Sequence, residues 1–308
     1  MLMGYSPGEL GSIFAMQAFA GLILFSVFVL MALGLAIIFG QMGVINMAHG
    51  EFMILGAYMT FLTSHIFQTY APQAFAGYFF VAMIVAFIVS GAFGLAVEWL
   101  LIRRLYKRPL DTLLATWGLS LIMQQAFRSI FGAREVGVQL PDWMMGSLQV
   151  TDTIEVQING LFVMTLTLII TAVVALLMFR SRWGLQVRAV VSNRIMADAT
   201  GIDTKRIDWL TFGLGCGIAG VAGSAFTMIG STSPTAGQAY IVDTFLVVVF
   251  GGAQSLLGTI ASAFTISQSQ STLEFFLTGS MAKVTTLLIV IGLLMLRPQG
   301  LFVLKVRK

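Results

Sequence analysis

Apolar runs long enough to cross a membrane recur along this chain, and they leave it few folds to choose from. A helix needs about 20 apolar residues to span the hydrocarbon core, and such runs lie at about 12–39, 75–102, 160–179 and 281–296, among others. In hydrocarbon every backbone N–H and C=O must be satisfied within the protein, so runs of this length close on themselves as helices. Composition agrees. The chain is 58% hydrophobic and 10% charged, where a soluble domain carries roughly 25% charged residues. It reads as an all-α polytopic transmembrane helix bundle, a single domain over 1–308. The one cysteine, Cys216, lies in an apolar segment, so no disulfide framework is expected. The first residues lack the basic region of a signal peptide, so the first run is expected to stay as a span.

About nine spans fit, within a range of eight to ten: 12–39, 44–67, 75–102, 112–131, 160–179, 209–230, 240–256, 257–277 and 281–296. The seventh and eighth, broken by Gly251-Gly252 and rich in Ser and Gln, could be re-entrant or half-helices. Of 17 basic residues, four fall in 103–108, six in 180–206 and four from Arg297 onward. With nine spans these three regions share one side, which the positive-inside rule makes cytoplasmic. The N-terminus is then outside and the C-terminus cytoplasmic. The loop 132–159, with Glu135, Asp142, Asp152 and Glu155 against Arg134, faces outward. In the third span Ala82, Ala86, Ser90 and Gly94 recur every four residues, and in the sixth Gly213, Gly217, Gly220 and Ser224 do much the same. Both are seams for close helix packing in lipid.

One stretch breaks the pattern. Residues 33–58 lie between strongly apolar runs yet hold Gln41, Asn46, His49 and Glu51, with Gly40, Gly43 and Gly50 between them. Such a mixture is stable at membrane depth only where it is buried in protein or lines a wet cavity. The spacing places the break near the cytoplasmic ends of the first two spans, as a gate or hinge there. IIFG at 37–40 is faintly echoed by VVFG at 248–251, and paired interrupted helices point to a transport pathway.

Catalysis finds little support. His49 and Glu51 are two apart and leave a helix in different directions. Glu98 is expected to pair with Arg103 or Arg104, and Asp243 to cap a helix or face the pathway. No zinc-protease, Cys/His metal or nucleophile-elbow motif is present, so no cofactor or metal is expected. A P-loop is also missing, so any ATP-driven motor would be another polypeptide. The basic segment 180–208 holds Val187, Val190, Val191 and Ile195 at helical spacing, on one face of a short helix. That face could seat in a groove of a cytoplasmic partner or lie among anionic lipid headgroups. The amides and hydroxyls within the spans would suit a neutral polar solute.

GVINMAHGEFMILGAY (43–58) resembles the signature of permease subunits of branched-chain amino-acid-type ABC importers. GLQVRAVVSNRIMADATGI (184–202), leading into TFGLGCGIAGVAG (211–223), is similar to that family's coupling region and the helix after it. AYIVDTFLVVVFGGAQSLLGT (239–259) matches its GG-containing segment, although AQSLLGT replaces a more usual Gly-containing turn. STLEFFLTGSMAKV (271–284) and RPQGLF (297–302) look closest to the urea-transporting branch. The resemblance implies a non-enzymatic permease subunit in a bacterial inner membrane, importing urea, with a branched-chain amino acid or passive solute flow as alternatives. It implies a second related permease, two cytoplasmic ATPase subunits and a periplasmic substrate-binding protein as partners, with lipid around them and no nucleic acid. Asn46, His49 and Glu51 would shape the pathway or its gate, with Gln124, Asp243, Gln254 and Gln268 as further lining. Gly184, Val187, Arg188, Val191, Arg194, Asp198 and Gly201 would make the ATPase coupling segment.

Overall fold

Every long apolar run forms a helix. The structure, a computed structural model, describes residues 7–106, 108–151, 154–296 and 300. The tail after Leu296, with RPQGLF apart from Gly300, and Lys107 and Asp152 lie outside the described residues. Nine long helices are found among those described: α1 (Pro7–Met42), α2 (His49–Tyr70), α3 (Tyr78–Val97), α5 (Pro109–Phe131), α6 (Ile158–Arg180), α9 (Thr204–Phe226), α10 (Ala236–Gly251), α11 (Leu256–Phe276) and α12 (Gly279–Leu296). α3 continues through a π-helical turn, Glu98–Ile102, into the short α4 (Arg103–Leu105). Five segments are long and apolar enough to cross a membrane on length and composition: Gly11–Met42, Pro72–Leu105, Ile158–Arg180, Thr204–Phe226 and Gly279–Leu296. α10 is apolar but shorter, and α2, α5 and α11 carry more polar side chains.

α1 and α9 form the interior, while α6 and α12 lie at the periphery. The small-residue seams meet as their spacing predicts. Ala82, Ala86, Ser90 and Gly94 are all buried on α3. They face α9, where a Cβ on Gly220 would lie 2.6 Å from the Ala86 carbonyl oxygen. On its other side α9 meets α2: Thr60 and Ser224 hydroxyls are 2.7 Å apart, and a Cβ on Gly223 would lie 1.9 Å from the Met53 carbonyl. In lipid, where apolar burial between helices contributes little, this backbone proximity supplies the dispersion contact that holds helices together.

The loop between α5 and α6 holds more order than its sequence suggests. Its strands β1 (Ser147–Thr151) and β2 (Ile154–Gln157) pair antiparallel, and Glu155 accepts hydrogen bonds across the hairpin from Ser147 (3.1 Å) and Gln149 (3.4 Å). Tyr78 donates to the Gln139 carbonyl and Trp143 to the Ala76 carbonyl, which pins the loop to the start of α3.

The basic segment folds as two short helices, α7 (Arg182–Ser192) and α8 (Arg194–Ala199). Local chemistry sets their boundaries. Ser181, Asn193 and Asp203 cap α7, α8 and α9 by accepting from the backbone N–H groups of Gly184, Met196 and Arg206. Gly201 ends α8 with φ +87°. One expectation needs correcting. Val187 and Val190 are buried and Val191 is half-buried, but Ile195 is 79% exposed. The chain turns at Asn193, so Ile195 belongs to a different helix and faces away.

Candidate functional site

The site grows out of two helix breaks. α1 runs without interruption to Met42, and Gly43 then turns the chain with φ +63°. Residues 44–48 form no helix long enough to satisfy their own backbone. They return along α1 into the interior, and their polar groups find partners elsewhere. The Asn46 side-chain carbonyl accepts from the Ala48 N–H (3.1 Å), and the Thr116 hydroxyl on α5 accepts from the Met47 N–H (3.1 Å). α2 therefore begins deep in the bundle, where His49 Nε2 donates to the Met31 carbonyl (3.1 Å). Met31 lies well inside the 36-residue α1, three turns before its end. This corrects the sequence-based placement of the break beside the basic end. Gly43 does lie there, but His49 and Glu51 do not.

α10 is arranged in the same way from the other side. Its first turn also lies deep, with the Tyr240 ring against Phe28 of α1 (6.4 Å) and Phe226 of α9 (5.0 Å). It then runs to the basic end. There Gly252, with φ +89°, stops it, and a Cβ on Gly40 would lie 2.5 Å from the Ala253 carbonyl. α2 leaves in the opposite direction, towards a cavity of about 310 Å³ lined by Phe61, Ser64, His65, Gln68, Gly137 and Gln139. The N-termini of two oppositely directed helices thus meet inside the bundle. A Cβ on Gly50 would lie 2.2 Å from the Gly237 carbonyl oxygen.

At this junction sits Glu51, buried in the first turn of α2. Its Oε1 accepts from Ser120 Oγ (2.9 Å) and Gln124 Nε2 (2.8 Å), both on α5. Its Oε2 reaches to within 2.7 Å of where a Gly237 Cβ would stand, and is buried without a hydrogen-bond partner among the described residues. Asn46 Nδ2 and His49 Nδ1 are likewise buried, with no partner among the described residues. Two helix N-termini present backbone N–H groups and partial positive charge, so a carboxylate is stabilised where they converge. The site can offer an acceptor at Glu51 Oε2 and a donor at Asn46 Nδ2, while both N–H groups of Gln124 are held by Glu51 and Ser120.

The nominated pathway residues scatter. The structure brings Asn46, His49, Glu51 and Gln124 to the junction, with His49 turned to α1 and Glu51 to α5, as two-residue spacing dictates. Asp243 does not cap a helix. It lies within α10 and accepts an ion pair from Lys283 of α12 (3.2 Å). Gln254 is exposed in the turn between α10 and α11 at the basic end. Gln268 packs α11 against Gly21 and donates to the Ala18 carbonyl of α1 (3.2 Å). Three participants were not nominated: Ser120, Thr116 and Gly237. The four-residue recurrence of Thr112, Thr116, Ser120 and Gln124, all buried on one face of α5, is the signal that marks the first two.

The residues expected to couple to the ATPase divide: Gly184 and Val187 are buried, Val191 and Arg194 half-buried, and Arg188, Asp198 and Gly201 exposed. Gly184 is buried so closely that a Cβ would lie 2.3 Å from the Met178 carbonyl. Arg188 donates to that same carbonyl and stacks over Phe179, and Asp198 accepts from Thr204 (2.8 Å). Arg194 pairs with the buried Asp208. Val187 packs with Val190, Ala197 and Ile207. Beside Arg188, Asp198 and Gly201, the exposed surface of this segment carries the apolar side chains Leu185, Ile195 and Met196.

Fold and junction together define a multi-pass helical membrane protein with a polar break in its interior. Comparison with known proteins gives the family. The family described as branched-chain amino acid transport system / permease component matches residues 17–297, and the chain belongs to it, as a permease subunit of an ABC importer of the inner membrane. The high-affinity branched-chain amino acid transport system permease protein LivH of Escherichia coli K12 is 28% identical, with 94% of this chain and 95% of that protein covered. The probable branched-chain amino acid transport permease protein LivH of Methanocaldococcus jannaschii is 26% identical over 91% and 90%. The permease protein BraD of Pseudomonas aeruginosa is 26% identical over 92% and 94%. No solved structure matches the chain significantly.

Proposed function

We propose that this chain carries a branched-chain amino acid through half of a two-permease pathway, by alternating access. Two cytoplasmic ATPase subunits would drive the movement, and a substrate-binding protein would deliver to the outer face. The observation that carries this reading is the junction of α2 and α10. An amino acid presents an ammonium and a carboxylate. Glu51 supplies the complement of the first, and the converging helix N-termini supply that of the second. The end-to-end likeness to proteins named for branched-chain amino acid transport supports the same substrate class. The close Gly50–Gly237 contact is the closed state of this pathway, and the two helices part when it opens. The basic end is cytoplasmic by its excess of Arg and Lys, and Leu185, Ile195 and Met196 dock the ATPase there, as apolar anchors do in helix-in-groove recognition.

A second reading is urea. The segments STLEFFLTGSMAKV and RPQGLF support it, as does the wealth of amide and hydroxyl groups at the junction. Uptake of labelled leucine and labelled urea by the complete reconstituted transporter separates the two. Leucine uptake without urea uptake is expected; urea uptake without leucine would overturn the first reading. Solute flow at full rate through this chain alone, with no ATPase subunits, would overturn the importer reading itself.

A further inference from the structure

We infer that Asp208 is the positioning residue that ties the ATPase-facing helices α7 and α8 to the break between α1 and α2. Its carboxylate is fully buried in the first turns of α9, with each oxygen directed to a different element. Oδ2 takes the guanidinium of Arg194, the first residue of α8. Oδ1 takes the side-chain amide of Gln41, the penultimate residue of α1, at 3.4 Å. Gln41 is two residues before Gly43, where the helix breaks. One carboxylate therefore spans the distance from the coupling helices to the hinge.

The surroundings reinforce this joint. The Arg194 guanidinium also lies over the Tyr106 ring (5.3 Å), just beyond α4. Nearby, Glu98 is buried in the π-helical turn and pairs with Arg103 (3.1 Å). The π-turn interrupts regular helix at the level where α3 meets this cluster, and such turns recur at functional sites. Trp209, next to Asp208, donates to the Leu95 carbonyl of α3 (2.9 Å). α1, α3, α8 and α9 thus converge on one ion pair, whose carboxylate is buried and whose guanidinium is 41% exposed.

An ion pair on a buried carboxylate is a poor source of net stability, because desolvation of that carboxylate offsets attraction; the best-attested use of such pairs is to register one arrangement against others. Here the registered arrangement lies between α8, the hinge at Gly43 and, through residues 44–48, Glu51. Displacing α8 draws on Arg194, Arg194 on Asp208, and Asp208 on Gln41. From Gln41 the chain leads through the Met47–Thr116 bond to the helix that carries Ser120 and Gln124. The inference rests on the importer reading.

The test uses the complete transporter in liposomes, with wild type first: ATP-dependent uptake and ATPase stimulation by the binding protein must both be present, and their absence would refute the importer reading itself. Given that coupling, Asp208→Asn and Gln41→Leu are expected to lower uptake by about tenfold while stimulated ATPase stays within about twofold, a coupling loss rather than a loss of parts. A merely structural role would lower both rates together. The swap Arg194→Asp with Asp208→Arg is expected to restore part of the uptake lost in Asp208→Asn. If Asp208→Asn fails to assemble, Gln41→Leu, which keeps the ion pair, decides. Uptake and ATPase both at wild-type level in Gln41→Leu, or both falling together, would overturn the inference.

Discussion

Gly50 and Gly237 touch backbone to backbone where α2 and α10 begin, with the Glu51 carboxylate over Gly237. The contact has no room for a methyl group: a Cβ on Gly237 would lie 2.8 Å from the Gly50 carbonyl. Gly50→Ala and Gly237→Ala should each push the two helices apart and cost about 1–3 kcal/mol, as overpacking does. The expected result is a lower unfolding temperature in detergent and the loss of most uptake. Gly118→Ala is the control, since nothing lies within 4 Å of its Cβ. It should be neutral or stabilise by about 0.5–1 kcal/mol through helix propensity.

Glu51 accepts from both Ser120 and Gln124, so truncating it strands two buried donors. Glu51→Ala should destabilise by about 1–3 kcal/mol per stranded group and abolish uptake. Glu51→Gln keeps an acceptor for α5 but removes the charge. Its assembly and thermal stability should stay near wild type while uptake of a zwitterionic substrate falls by about tenfold or more, the loss of one charge-assisted contact. Wild-type uptake in Glu51→Gln would show that the carboxylate charge has no part in transport.

The Asp243–Lys283 pair links α10 to α12 with the lysine side chain 40% exposed and the aspartate 15%. Its worth should fall between that of surface and buried pairs, about 1–3 kcal/mol. A double-mutant cycle with Asp243→Asn and Lys283→Met, read by thermal unfolding, should return a coupling energy in that range. Lys283→Met alone should be the most harmful of the three variants, because it leaves a carboxylate unpaired.

Leu185, Ile195 and Met196 are exposed by 62%, 79% and 64% on helices whose opposite faces are buried. Changing all three to Ser should lower the unfolding temperature of this chain only slightly, since each side chain is mostly exposed and the main cost is helix propensity. Pull-down of the ATPase subunits should fall sharply, in keeping with the energetic weight of central apolar anchors. Arg188→Ala, by contrast, should lower stability through the lost bond to the Met178 carbonyl and affect binding less.

Much of the architecture is legible in the chain. Small residues at fixed spacing on α3 and α9 signalled a close seam because a helix repeats its face every three to four residues. The separation of His49 from Glu51, and the pairing of Glu98 with Arg103, also follow from local geometry. The coupling face was harder to read. Val187, Val190, Val191 and Ile195 look like one stripe only if the helix is unbroken, and Asn193 breaks it by capping α8.

What the sequence determined by itself was local: where helices run, where Gly, Asn and Ser stop or start them, and which stretches are too polar for lipid. Those properties depend on backbone dihedrals, side-chain hydrogen bonds within a turn, and transfer free energies, all of which act over a few residues. The tertiary structure alone decided that residues 44–48 run back along α1, that Glu51 turns one oxygen to Ser120 and Gln124 and the other to Gly237, and that Asp208 divides its oxygens between Arg194 and Gln41. The Gly237–Glu51 and Gln41–Asp208 contacts join residues more than a hundred positions apart in the chain, while the return along α1 and the Arg194 pair each close over fewer than 20. No repeat distance encodes such meetings. They are fixed only when the helices pack and each buried polar group must find whichever partner the packing brings within reach.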